Sequence, residues 1–227
     1  IRYPEGNYGE FLNLSLAAYS TYSPPSGKTL YVNNWFGDDL EFVFDSDNSI
    51  ESEIIASSGD DGGRAISNPL IVKSNDIIYV GGNGGFLQGF LTNSISEVES
   101  FVCYLIGSES YYAQFYNEAN ILENYTVPSG KLLVVLNVKQ KYYGELTVNG
   151  NIVFDSDGFG GTGDPPYRTL KYPLVFLEGD IISINNNEGQ TVLNGYLVDE
   201  DYFSSAGSGY NSNGGDGSMS VSTFGDT

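Results

Sequence analysis

Asn68-Pro69-Leu70-Ile71-Val72-Lys73-Ser74-Asn75-Asp76-Ile77-Ile78 returns in outline as Tyr172-Pro173-Leu174-Val175-Phe176-Leu177-Glu178-Gly179-Asp180-Ile181-Ile182. Each stretch is an apolar run, a short turn ending in Asp, and a second run opening Ile-Ile. That pattern predicts two β-strands joined by a tight turn. Three further matches follow the same order along the chain. Pro25-Ser26-Gly27-Lys28 recurs as Pro128-Ser129-Gly130-Lys131, each after a tyrosine (Tyr22, Tyr125). Phe44-Asp45-Ser46-Asp47 recurs as Phe154-Asp155-Ser156-Asp157, and Gly89-Phe90-Leu91 parallels Gly195-Tyr196-Leu197. Four matches in one order, two of them identical over four residues, point to an internal duplication. The stretch before the Asp-Ser-Asp element is longer in the second copy and the stretch after it is shorter.

A repeat near 100 residues is too long for a solenoid unit and suits a complete β-sandwich. Two domains are therefore expected, residues 1–105 with an N-terminal strand or arm and residues 106–203. Residues 204–227 form a Gly/Ser-rich tail. The hydrophobic period is two rather than 3.6. Thr29-Leu30-Tyr31-Val32, Leu40-Glu41-Phe42-Val43-Phe44, Leu132-Leu133-Val134-Val135-Leu136 and Phe101 to Ile106 read as strands. Leu146-Thr147-Val148 meets Ile152-Val153-Phe154 across Asn149-Gly150, a strong two-residue hairpin signal. Tyr111 to Leu122 alone is ambiguous between a short helix and a strand. The fold class expected is all-β, two tandem jelly-roll-like β-sandwiches with at most one short helix.

The element Pro173 to Ile184, followed by Asn194-Gly195-Tyr196-Leu197-Val198, resembles the C-terminal part of compact jelly rolls. Such domains occur in phage fibre and receptor-binding proteins and in TNF- or C1q-like trimeric heads. The tandem copy is also similar to double jelly-roll capsid proteins, although those chains are longer and carry helices between strands. The resemblance covers about 25 residues per copy. It implies a surface or assembly role and brings no catalytic residue with it.

Composition narrows the chemistry. The 227 residues include 29 acids, 9 bases, one cysteine and no histidine, for a net charge of −20. Without histidine there is no Ser-His-Asp or Cys-His catalytic set and no imidazole metal site. Cys103 alone forms neither an intrachain disulfide nor a cysteine-rich zinc cluster, and its apolar surroundings read as core. A pI near 4.1 disfavours nucleic acid and anionic membranes as partners. No apolar run approaches the roughly 18 residues that span a bilayer. The start at Ile1 reads as a processed or truncated chain or as the ordered part of a longer one, and processing fits an extracellular, cell-surface or virion-surface location. Two glycosylation sequons, at Asn13 and Asn124, are what an Asn-rich chain yields by chance.

Three residue sets are candidates for a site. Asp45 and Asp47, with Asp155 and Asp157, alternate carboxylates as calcium loops do, or cap the turns after their strands. Without them no cofactor is expected. The EF-hand pattern fails for lack of a following glutamate, and no acidic pair stands out as a glycosidase dyad. Gly81-Gly82-Asn83-Gly84-Gly85 lacks the lysine and helix of a phosphate cradle and reads as a hairpin tip. Trp35 with Phe36, Tyr111, Tyr112, Tyr116, Tyr142 and Tyr143 serve a core, a protein interface or a glycan platform. Phe11-Leu12-Asn13-Leu14-Ser15-Leu16 alternates like an added strand, so Phe11, Leu12, Leu14 and Leu16 belong to an arm laid on another subunit or to the first strand of their own domain. The expected function is a non-enzymatic, self-associating surface subunit, such as a virion fibre, spike or decoration protein or an extracellular filament. Its partners would be copies of itself or other surface proteins. The alternative is a carbohydrate-binding or adhesion module.

Overall fold

A computed structural model describes residues 9–37, 39–44, 51–55, 64–110, 113, 121–141, 145–154, 170, 172–187 and 189–205. Their architecture is all-β and sandwich-like, with one helical turn, α1 (Tyr202–Ser205). The strands are β1 (Glu10–Leu16), β2 (Thr21–Tyr22), β3 (Lys28–Gly37), β4 (Leu40–Val43), β5 (Glu51–Ile55), β6 (Arg64–Lys73), β7 (Ile77–Val80) and β8 (Gly85–Asn93). They continue as β9 (Val98–Ile106), β10 (Ile121–Leu122), β11 (Asn124–Thr126), β12 (Lys131–Lys141), β13 (Leu146–Val148), β14 (Asn151–Phe154), β15 (Leu174–Phe176), β16 (Ile181–Ile184) and β17 (Gln190–Asp199). Four sheets result, in the orders β1-β8-β3-β6, β2-β7-β4-β5, β10-β9-β17-β12-β15 and β11-β16-β13-β14.

The turns read in the sequence close as their chemistry requires. The Asp76 carboxylate accepts the Lys73 N–H at 2.9 Å, and the Asp180 carboxylate accepts that of Leu177 at 2.8 Å. Asn149 and Gly150 both have positive φ, 49° and 80°, as a two-residue hairpin between β13 and β14 needs. The ambiguous stretch after Tyr111 ends in the short strand β10, parallel to β9; residues 114–120 lie outside the described part.

Alternation supplies three cores. Leu30 and Val32 of β3, Leu70 and Val72 of β6 and Leu87 of β8 meet Leu40, Phe42, Ile78 and Val80 between the first two sheets. Phe101, Cys103, Leu133, Val135, Phe176, Leu193 and Leu197 meet Leu146 and Ile182 between the other two. A third cluster joins the halves: Tyr31 and Ile71 against Val134, Leu136, Tyr196 and Val198. Phe101, Cys103 and Leu105 of β9 face one core and Val102, Tyr104 and Ile106 the other, so from Ser100 onward this strand is buried on both sides. Each fully buried aliphatic side chain contributes about 1.5–3 kcal/mol over leaving it in water.

One irregularity controls which residues reach the surface. Between Val32 and Asn34 the register of β3 with β8 slips by one, as does that of β12 with β17 between Val135 and Asn137. Such bulges add one residue to a strand and reverse the facing of everything beyond it. Opposite the bulges lie Gly89, paired with Val32, and Gly195, paired with Val135. A Cβ on Gly89 would run into the Tyr31 carbonyl, and one on Gly195 into that of Val134. Only glycine lets the strands approach so closely.

Candidate binding face

The outward side of β1-β8-β3 is where the described structure gathers solvent-facing aromatics. In β1 the leucines 12, 14 and 16 turn inward, leaving Phe11, Asn13 and Ser15 outside. In β8, Leu87 turns inward, and Phe86, Gln88 and Phe90 point the other way. In β3 the bulge carries Trp35 into the core and brings Asn34 and Phe36 outward. Strand register aligns these residues in rows: Phe11–Phe90–Tyr31, Asn13–Gln88–Asn34 and Ser15–Phe86–Phe36.

The middle row is an amide ladder. Asn34 Nδ2 donates to Gln88 Oε1 at 3.5 Å, and Gln88 Nε2 donates to Asn13 Oδ1 at 3.2 Å. Aromatic rings border it on both sides. Tyr31 and Phe90 stack at 4.8 Å, while Phe11, Phe36 and Phe86 are 89, 44 and 37% exposed. No charged side chain stands in these three rows, though the chain carries a charge of −20. Apolar rings flanking neutral donors and acceptors suit a docking protein or a sugar ring.

The third sheet treats the same kind of surface differently. Asn137 of β12 lies opposite Asn194 of β17, one step past the bulge, and both are buried. What buries them is main chain from β6. Asn194 donates to the Ile71 carbonyl at 2.7 Å and accepts the Ile71 N–H at 3.0 Å. Asn137 donates to the Pro69 carbonyl at 3.1 Å. Asn68 reaches back to the carbonyls of Leu136 and Leu170 at 3.0 and 2.8 Å. The neighbouring Lys139 and Val192 are buried as well.

Several sequence expectations change here. Trp35 is 2% exposed and is a core residue, not a ligand platform. Period-two counting from Val32 puts it outside, but the bulge inverts that count and exposes Phe36 instead. Phe11, Leu12, Leu14 and Leu16 form no free arm: β1 pairs along its length with β8 of the same chain, because its leucines complete that sheet's core face. Asp45, Asp47, Asp155, Asp157, Tyr111, Tyr112, Tyr142 and Tyr143 lie outside the described residues. Among the described residues no group of three metal-ligating side chains comes together, and no helix is long and apolar enough to cross a membrane. Cys103 sits in the second core, where burial pushes its thiol up.

Sequence reasoning missed Asn34, Phe86 and Gln88, and named Phe36 only beside Trp35. The available signal was alternation in Phe86-Leu87-Gln88, joined to the Gly89 and Gly195 match that marks the bulges.

No known protein family matches the sequence, and no curated protein matches it. Among solved structures the chain is similar to a conserved protein of unknown function from Pseudomonas aeruginosa PAO1. The identity is 11%, covering 86% of this chain and 87% of that one, with a TM-score of 0.31. A similarity of that size carries neither fold nor function across.

Proposed function

We propose that the chain is two tandem jelly rolls produced by duplication and followed by a Gly/Ser-rich arm, the second copy opening with β9 (Val98–Ile106), which pairs with β17, rather than at residue 106. In this reading it is a non-enzymatic, self-associating structural subunit of an extracellular, cell or virion surface. Strand order supports the duplication. With β9 and β11–β17 in place of β1–β8, β9-β17-β12-β15 repeats β1-β8-β3-β6, and β11-β16-β13-β14 repeats β2-β7-β4-β5. Details recur as well. Lys28 N–H closes on the Pro25 carbonyl at 3.0 Å with Gly27 at φ 72°; Lys131 closes on Pro128 at 3.2 Å with Gly130 at φ 73°. Lys28 Nζ donates to Asn93 and Lys131 Nζ to Asp199, both at 2.7 Å. Each copy has a bulge after its fifth residue from that lysine, and a glycine facing it.

The observation that carries the function is that the Asn13–Gln88–Asn34 and Ser15–Phe86–Phe36 rows of β1-β8-β3 are uncovered, at positions where the other copy is buried. A crevice beside them, lined by Thr29, Tyr31, Ile71, Thr92, Val98 and Ser100, has room for about one water. The lack of histidine favours binding over catalysis, and the reading calls on no cofactor. Negative-stain microscopy of the intact protein tests it: filaments, rings or other regular particles are expected, and a field of single 24.6 kDa chains would contradict it.

The same face favours glycan binding as the second reading, because amides between aromatic rings match sugar hydroxyls and ring faces. Glycan-array binding that disappears in Phe36→Ala or Phe86→Ala would select it.

A further inference from the structure

We infer that copies of this chain join head to tail, the open face of β1-β8-β3 in one receiving the β15 edge of the next. This rests on the duplicated, self-associating reading above and names the surfaces that would serve it. Within one chain a donor and an acceptor already meet. The acceptor is the Asn137–Asn194 pair just past a bulge, and the donor is the backbone of Pro69 and Ile71 in β6, the last strand of its sheet. The Ile71 side chain is buried in the cluster between the halves.

The chain holds a second acceptor and a second donor that do not meet. Asn34 and Gln88 occupy in the first half the places of Asn137 and Asn194, and they lie open beside exposed Phe36 and Phe86. The strand in the place of β6 is β15, which ends its own sheet and starts the same way, Pro173-Leu174-Val175 against Pro69-Leu70-Ile71. Among the described residues it pairs only with β12. Val175, in the place of Ile71, is 45% exposed, and Leu177 two residues on is 60% exposed. An edge strand with open backbone groups is what an amide pair of this kind grips.

The Tyr31–Phe90 row is already shielded by Val134 and Tyr196 of the same chain. An incoming β15 therefore lies over the amide ladder and the Phe36–Phe86 row. Donor and acceptor sit on different halves, so the contact is heterologous and propagates as a filament unless it closes into a ring.

Complementary blocking tests this. Gln88→Lys blocks the face, with Phe36→Asp as a second face variant. Val175→Lys blocks the edge, with Leu177→Asp as its second variant. A variant counts only if its circular dichroism and melting match the parent. Light scattering on each variant alone is expected to give the mass of one chain. An equimolar mixture of a face variant with an edge variant keeps one working face and one working edge, and is expected to give twice that mass and no more. Either variant assembling like the parent, or a mixture that stays monomeric, overturns the head-to-tail contact while leaving self-association standing. An unmodified chain that is itself monomeric overturns both.

Discussion

At Asn33 one unpaired residue decides which of two aromatic neighbours meets solvent. The bulge sends Trp35 into the first core and Phe36 out of it. Trp35→Ala is therefore expected to cost about 3–5 kcal/mol in denaturant unfolding, as loss of a fully buried large aromatic does. Phe36→Ala should move stability little. The glycines facing the bulges make a sharper test. Gly89→Ala and Gly195→Ala each force a methyl group against a strand carbonyl, so each should destabilise by about 1–3 kcal/mol. Two unaffected midpoints would show that the strands can part there. Asp76 gives a pH signature. Burial pushes its carboxyl from 3.8 up to about 6, against the lowering effect of the Lys73 N–H and the Lys73 charge. The folded chain then holds a proton that the unfolded chain has lost. The stability this group contributes is complete below the unfolded value and is lost as pH rises through about 6. Raising pH from about 5 to about 7 should lower the melting temperature, and Asp76→Asn, which keeps an acceptor for the Lys73 N–H, should flatten that dependence.

Among the elements, β1 shows what pairing alone settles. Its alternation is plain in the sequence, but alternation does not say which chain supplies its neighbour. Seven register pairs with β8 and three inward leucines make it part of its own core. Deleting residues 1–20 should therefore unfold the first half, seen as a lost cooperative melting transition, rather than release a folded monomer. The hairpins were legible because Asn-Gly and Gly-Asp turns carry their geometry in the residue types themselves. Repeated order along the chain is likewise what the proposed duplication rests on. The bulges were not legible, since an extra residue in a strand leaves no mark on composition and inverts every facing beyond it. For the same reason the sequence does not say which of the adjacent pair Trp35 and Phe36 turns inward. The amide ladder was illegible too. Asn13, Gln88 and Asn34 stand 75 and 54 residues apart, and only strand order brings them into one row.

For the whole molecule, charge and interface chemistry act in opposite directions. Each copy carries −20, so two copies repel at low ionic strength. The face proposed to join them is neutral and aromatic. Added salt should therefore strengthen association by screening the repulsion, the reverse of what an ion-paired interface shows. Excess chelator should leave the melting curve unchanged; a drop in melting temperature would instead assign the Asp-Ser-Asp elements to calcium. The most direct check on the central claim is the light-scattering mass of the unmodified chain over a rising concentration series at moderate salt. The account predicts a mass that climbs from one chain, 24.6 kDa, to multiples of it. A mass fixed at one chain up to the highest concentration reached, with and without calcium, would contradict it.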